Sequence, residues 1–136
     1  MITAVDSSVL FDVFTADPAH GVRSRDALMR CLAEGSLIAC EVVWAEVAAS
    51  FPSSDDAHQA LDQLGVSFGA MDAAAALTAG AAWRSYRKRG GKRTRVIADF
   101  LIGAHAGASA QRLLTRDRGF FRTYFADVEV LDPARS

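Results

Sequence analysis

Four carboxylates of this 136-residue chain stand in apolar surroundings, where an unpaired charge is costly. They are Asp6 in ITAVDSSVL, Glu46 in VVWAEVAAS, Asp99 in RVIADFLIGAHA and Asp117 in LLTRDRGF. No lysine or arginine lies within four residues of Asp6 or Glu46 on either side. Acids of this kind, spread along the whole chain, point to a place where they meet and hold a hard cation such as Mg²⁺, which takes oxygen ligands.

Each acid also has a plainer reading. Asp6 could be only a helix N-cap, although Ser7 and Ser8 could cap in its place. Glu46 has Val42, Val43, Ala49 and Ser50 as helical face neighbours, which places it on an apolar stripe. Its alternative is a helix edge that snorkels outward. Asp99 is the single charge from Val96 through Ala110, in a helix so apolar that burial is expected. Its structural alternative is to complement the helix dipole. Asp117, flanked by Arg116 and Arg118, could be a surface ion pair; Thr115, just before it, could orient a water or a carboxylate through its hydroxyl.

Other chemistries lack their residues. There is no HExxH, CxxC, nucleophile elbow, GxxxxGK[ST] loop or GxGxxG. His105 lies six positions after Asp99, about 240° around a helix, and so faces elsewhere. His20 and His58 sit in polar segments, and Cys31 and Cys40 read as small buried hydrophobes. No apolar run is long enough to span a bilayer. The first residues lack the basic stretch of a signal peptide, so a cytoplasmic location is the expectation.

A net charge of −1 hides an asymmetry. Residues 1–83 carry 11 acids and 3 bases, whereas residues 84–136 carry 12 bases and 5 acids. Arg84, Arg87, Lys88, Arg89, Lys92, Arg93 and Arg95 follow one another with no acid among them and lead into Asp99. Such a run is often just a solvated face. Here a polyanion held by it would lie beside a carboxylate, and a phosphate backbone is the obvious candidate.

Short β-rich runs alternate with helical stretches. Strands are expected at Ile2 to Val5, SLIAC, VSF, RLLT and VEVL. Helices are expected at about Val9 to Phe14, Val22 to Glu34, Glu41 to Ser50, a stretch capped by Ser53 and Asp56 and closed by Gly65, Asp72 to about Arg89, and Arg95 to Ala108, with a short one in DRGFFRTYF. This alternation predicts an α/β sandwich with a mainly parallel sheet, in one domain. Sheets of that kind collect functional residues at the carboxyl ends of their strands. Asp6 and Asp117 would share one edge if the first and fourth strands are neighbours.

With these segments in hand, the chain resembles PIN-domain nucleases, and more closely the VapC-type toxins of toxin–antitoxin pairs, over nearly its whole length. AVDSSVLFDV is similar to the family's opening strand with its first acid, WAEV to the helix with the second, ADFLIGAHA to the third-acid helix, and LLTRDRGFFRTYF with LDP to the fourth-acid segment and closing strand. The resemblance implies a PIN-like three-layer α/β/α sandwich with five strands. It further implies a Mg²⁺- or Mn²⁺-dependent endoribonuclease, inhibited by a VapB-like antitoxin and usually dimeric, that leaves 5′-phosphate and 3′-hydroxyl ends. Asp6, Glu46, Asp99 and Asp117 become the metal-site acids, and Thr115 matches the hydroxyl that accompanies the fourth. Ser8 departs from the pattern, since many relatives have Asn there. Arg84, Arg87, Lys88, Lys92, Arg93, Arg95, Arg116 and Arg118, together with Arg122, would hold the RNA backbone, and Trp83 and Tyr86 could stack on bases or pack in the core. A receiver domain would need paired acids after the first strand and a lysine after the last, and a HAD-type phosphatase Asp-x-Asp where Ser8 stands. A non-catalytic RNA- or protein-binding module is the third rival.

Overall fold

The β-branched and apolar run at the start of the chain forms the central strand of the sheet. In the computed structural model, which describes residues 1–92 and 95–135, strands β1 (Ile2–Val5), β2 (Ser36–Ala39), β3 (Val66–Phe68), β4 (Arg112–Leu114) and β5 (Glu129–Leu131) pair in the order β3-β2-β1-β4-β5. Every pairing is parallel. Parallel neighbours need crossover connections, and helices supply them. Helices α1 (Ser7–Phe14) and α2 (Gly21–Glu34) connect β1 to β2; α3 (Glu41–Ala49) and α4 (Ser54–Leu64) connect β2 to β3. Helices α5 (Ala73–Lys88) and α6 (Ile97–Ser109) return the chain to β4, and α7 (Arg118–Tyr124) leads to β5. Helices cover both faces of the sheet, the expected three-layer architecture. Among the described residues, no helix is long and apolar enough to cross a membrane.

Local signals hold at most boundaries. Ser53 Oγ accepts the Asp56 amide at 3.1 Å and Asp72 Oδ1 accepts that of Ala75 at 2.9 Å, so both expected N-caps form. Gly65 ends α4 at φ 81°, a left-handed position that glycine adopts without a Cβ penalty. Most boundaries fall within one residue of expectation, and two helix starts differ by two residues. Helix α1 begins at Ser7 rather than Val9, and α6 begins at Ile97, which leaves Arg95 outside the helix.

The core gathers Val5, Val9, Leu10, Leu37, Leu113 and Leu114 around the central strands. Beside it lies an aromatic cluster centred on the fully buried Phe100, with Tyr86 at 5.5 Å, Phe120 at 5.2 Å and Tyr124 at 6.1 Å between ring centroids. Edge-to-face pairs of this kind add about 0.5–1.5 kcal/mol each beyond their area. The cluster locks α5, α6 and α7 together, and so fixes Asp99, next to Phe100, relative to the segment that carries Asp117.

Candidate active site

The switch in strand order lies between β1 and β4, because the chain leaves β1 toward β2 and later returns to its other side. Ligand crevices of open α/β sheets form at such points. Register does the rest. Val5 pairs with Leu114, and the Asp6 amide donates to Leu114 O at 3.0 Å, so the next residues, Asp6 and Thr115, emerge together. Asp6 and Asp117 therefore do share the β1–β4 edge.

Asp6 occupies the N-cap position of α1, yet its side chain makes no capping hydrogen bond. The flanking serines do not cap either. Ser8 Oγ donates to Asp6 Oδ2 at 3.2 Å and Ser7 Oγ to Oδ1 at 3.5 Å. Thr115 Oγ1 donates to Oδ2 at 2.7 Å and accepts the Asp117 amide at 3.0 Å. Ser8 thus serves the first acid directly as a donor. Asp6 is only 7% exposed. Burial pushes its carboxyl above the usual range; the Thr115 and Ser8 hydroxyls oppose this, and the charge of Asp99 adds to it.

Glu46 departs from expectation. The buried side of α3 is Val43 and Val47, and Glu46 is an exposed residue rather than part of an apolar stripe. Its carboxyl is still crowded. Partial burial pushes it above its ordinary range, a Ser7 hydrogen bond counters this, and Asp6 and Asp99 repel it. Three acids, one just after β1 and the others on α3 and α6, therefore feel one another. Asp99 lies in the first turn of α6, so its dipole role coexists with membership of this group.

Asp117 pairs with neither flanking arginine. Its Oδ2 accepts from Arg95 Nη1 across 22 residues of sequence, and the same Nη1 lies 3.6 Å from Asp99 Oδ2. The Arg95 guanidinium also sits 4.1 Å from the centroid of the Phe120 ring. Burial pulls its pKa down, but the hydrogen bond and charge of Asp117, with Asp99, carry the net shift upward.

The other basic residues divide. Arg84, Arg87, Lys88, Arg89 and Lys92 are exposed, on or just after the end of α5, and Arg118 is partly exposed; Arg93 lies outside the described residues. Arg87 lies over the half-buried Trp83 ring at 4.8 Å. Tyr86 belongs to the core, and its hydroxyl donates to Lys92 O at 2.6 Å. Arg116 is committed elsewhere, donating through Nε and Nη2 to both carboxylate oxygens of Asp12 at 2.7 and 3.0 Å. Asp12, 3% exposed, also accepts from Ser24 Oγ. It is a fifth acid in apolar company, missed in the sequence although Phe11 and Val13 flank it as closely as any neighbours of Asp6.

The donors around Asp6 are oxygens alone, the ligand type of Mg²⁺ or Mn²⁺. Among the described residues, no three His, Cys, Asp or Glu side chains are close enough to cage an ion as they stand. Mg²⁺ does not require a cage, since it keeps several waters and uses one or two carboxylates. Asp6 and Glu46 are acids that, among the described residues, hydrogen bonds offset and no cation does, so the acid set fits a divalent cation.

No curated protein matches the chain in sequence. Solved structures do match its fold. VapBC-1 from nontypeable Haemophilus influenzae aligns with a TM-score of 0.75 at 17% identity, covering 99% of this chain and 100% of that one. VapBC2 from Rickettsia felis, bound to a DNA fragment from its promoter, aligns at 0.71 and 17%, covering 97% and 98%. FitAcB from Neisseria gonorrhoeae aligns at 0.68 and 22%, with full coverage of both chains. The sequence itself matches the PIN domain over residues 3–126. A match across that much of the chain, carried by a parallel five-stranded sheet with acids at its switch point, places this protein in the PIN-domain family.

Proposed function

We propose that this PIN domain is a metal-dependent endoribonuclease, the VapC-like toxin of a toxin–antitoxin pair. The observation that carries the reading is the convergence of Asp6, Glu46 and Asp99 at the β1–β4 switch point, with Thr115 bridging Asp6 to the Asp117 backbone. Asp6 and Asp99 are the first candidates to hold Mg²⁺, with Glu46 and Asp117 beside them or acting through water. When bound, such an ion lowers the pKa of water and offsets charge on phosphoryl oxygens.

The chain's own residues do the remainder. Thr115 and Ser8 fix the Asp6 carboxylate so that its oxygens keep one orientation. Glu46, which is exposed, would accept a proton from a water. Arg84, Arg87, Lys88 and Lys92, exposed on and just after α5, would hold phosphates without reading sequence. Single-stranded RNA loops suit such a site, because their bases can splay out and stack; Trp83 is the half-buried ring available. The similarity to VapBC and FitAB assemblies supports a VapB-like antitoxin as partner, and the same reading includes a homodimer.

Incubating the purified protein with total RNA in Mg²⁺, with EDTA and with the Asp6→Asn variant, tests the reading. Cleavage with Mg²⁺, lost in EDTA and in Asp6→Asn, is the expected result. RNA binding that ignores EDTA, with no cleavage under any divalent ion, would sink the enzyme reading in favour of a binding module.

A further inference from the structure

The charges of the acid cluster are unevenly met. Among the described residues Asp6 and Glu46 receive hydrogen bonds but no cation, whereas Asp99 and Asp117 share one guanidinium, that of Arg95. Arg95 is not a loose surface side chain. Its guanidinium lies over the Phe120 ring, and its side chain is 28% exposed. The segment before it is tied to α5 by the Tyr86 hydroxyl on Lys92 O and by the Gly91 amide on Tyr86 O at 2.9 Å. A guanidinium stays charged at any relevant pH and uses the same carboxylate oxygens that a divalent ion needs.

We propose that Arg95 is a built-in counter-ion of the metal-free state: it holds Asp117 and Asp99 until a divalent cation displaces it. The proposal rests on the reading of these acids as a metal site. Two cations at this range repel strongly even at the effective dielectric of a protein surface. Occupancy by the divalent ion therefore requires the Arg95–Asp117 contact to open. The freed guanidinium remains on Phe120, at the end of the basic run, where it can donate to a phosphate oxygen instead. Arg95 thus acts as a positioning residue, coupling cation entry to readiness for the RNA backbone.

Calorimetric titration of the apo protein with MgCl₂ and MnCl₂ tests this without reference to cleavage. Arg95→Met keeps an apolar stem against Phe120 and removes the charge; Arg95→Lys keeps the charge. Arg95→Met should bind the divalent ion at least about tenfold more tightly than wild type, with Arg95→Lys near wild type. The side-chain Nε–H signal of Arg95 in wild-type protein, assigned by its loss in Arg95→Lys, should shift as the metal saturates. If wild type binds the ion but Arg95→Met binds it no more tightly, or the Arg95 signal stays put at saturation, the counter-ion proposal is overturned and the metal-site reading survives. If no variant binds a divalent ion, both fall. The spectral measurement uses the wild-type chain, so it decides the matter even if Arg95→Met does not fold.

Discussion

The Thr115 hydroxyl donates to Asp6 Oδ2 at 2.7 Å, and this contact joins two strands whose sequence positions are 109 apart. It leaves the Thr115 oxygen free to accept the Asp117 amide. One side chain therefore sets the first acid and the backbone of the fourth. Thr115→Val keeps the shape and removes both bonds. Cleavage should fall roughly 10–100-fold, as for other partners that orient metal ligands, and stability should drop by about 1–3 kcal/mol from the unmet groups. Thr115→Ser should retain most of both. Equal activity in Thr115→Val and wild type would show that the hydroxyl orients nothing that matters.

Asp99→Asn should abolish cleavage while leaving the fold nearly as stable as before. Its ion pair with Arg95 spans 3.6 Å between groups about a quarter exposed, where solvent screening leaves little net contribution. The change also relieves repulsion on Asp6 and Glu46. Chemical denaturation in EDTA should therefore place Asp99→Asn within about 0.5 kcal/mol of wild type, or above it. Unfolding of the variant would make Asp99 a structural residue.

Stability should carry the signature of the buried first acid. Burial, with repulsion from Asp99, raises Asp6 from its ordinary 3.8, and Glu46 moves up from 4.5. An acid whose native pKa lies above its unfolded one keeps its proton longer when folded. Its ionisation therefore costs native stability, progressively, as pH rises from the unfolded value through the folded one. In EDTA, Asp6→Asn should gain stability over wild type as pH rises through that window, and the gain should level off above it. Thermal melts of the two proteins across pH 3 to 8 would show this; a difference independent of pH would mean that Asp6 is not held protonated longer in the fold. Added Mg²⁺ should stabilise wild type more at high pH than at low, because the ion needs the deprotonated acid.

The Asp12–Arg116 pair should respond asymmetrically. Arg116→Met leaves a carboxylate that is 3% exposed with only the Ser24 hydroxyl beside it, and should cost about 3 kcal/mol or more. Asp12→Asn leaves an arginine whose side chain is already 34% exposed and can turn to water, and should cost less. Urea unfolding of both variants gives the comparison. Equal costs would mean that the pair contributes as a surface bridge does.

The fold was legible because its signals are local. Each strand is a short apolar run, and the caps at Ser53 and Asp72 and the stop at Gly65 depend on a few adjacent residues. The four acids stood out for a related reason, since a charge among apolar neighbours is visible without knowing the fold. What the sequence hid is pairing at a distance. Arg95 lies 22 residues from Asp117 and Arg116 lies 104 from Asp12, so sequence proximity pointed to Arg116 and Arg118 for Asp117 and gave no sign of Asp12 for Arg116. Glu46 misled in another way. Small residues such as Ala49 and Ser50 look apolar or neutral in a stripe but lie exposed in α3, and the buried side narrows to Val43 and Val47.

The exposed cations at the end of α5 make the RNA-binding half of the reading measurable. Arg84, Arg87 and Lys88 are exposed and make no ion pair among the described residues, whereas Arg116 is held by Asp12. Replacing the three by alanine should weaken binding to a single-stranded RNA similarly for unrelated sequences, because phosphate contacts carry no sequence information. The slope of log Kd against log salt should fall by about 0.7 for each phosphate that is no longer neutralised, or about 2 for all three. The Asp6→Asn background removes turnover during the measurement. Arg87→Ala alone should also uncover the Trp83 ring, now 4.8 Å beneath its guanidinium, so tryptophan fluorescence should respond more strongly to RNA in that variant if the ring stacks on a base. A triple variant with unchanged salt slope would move the RNA path off α5 altogether.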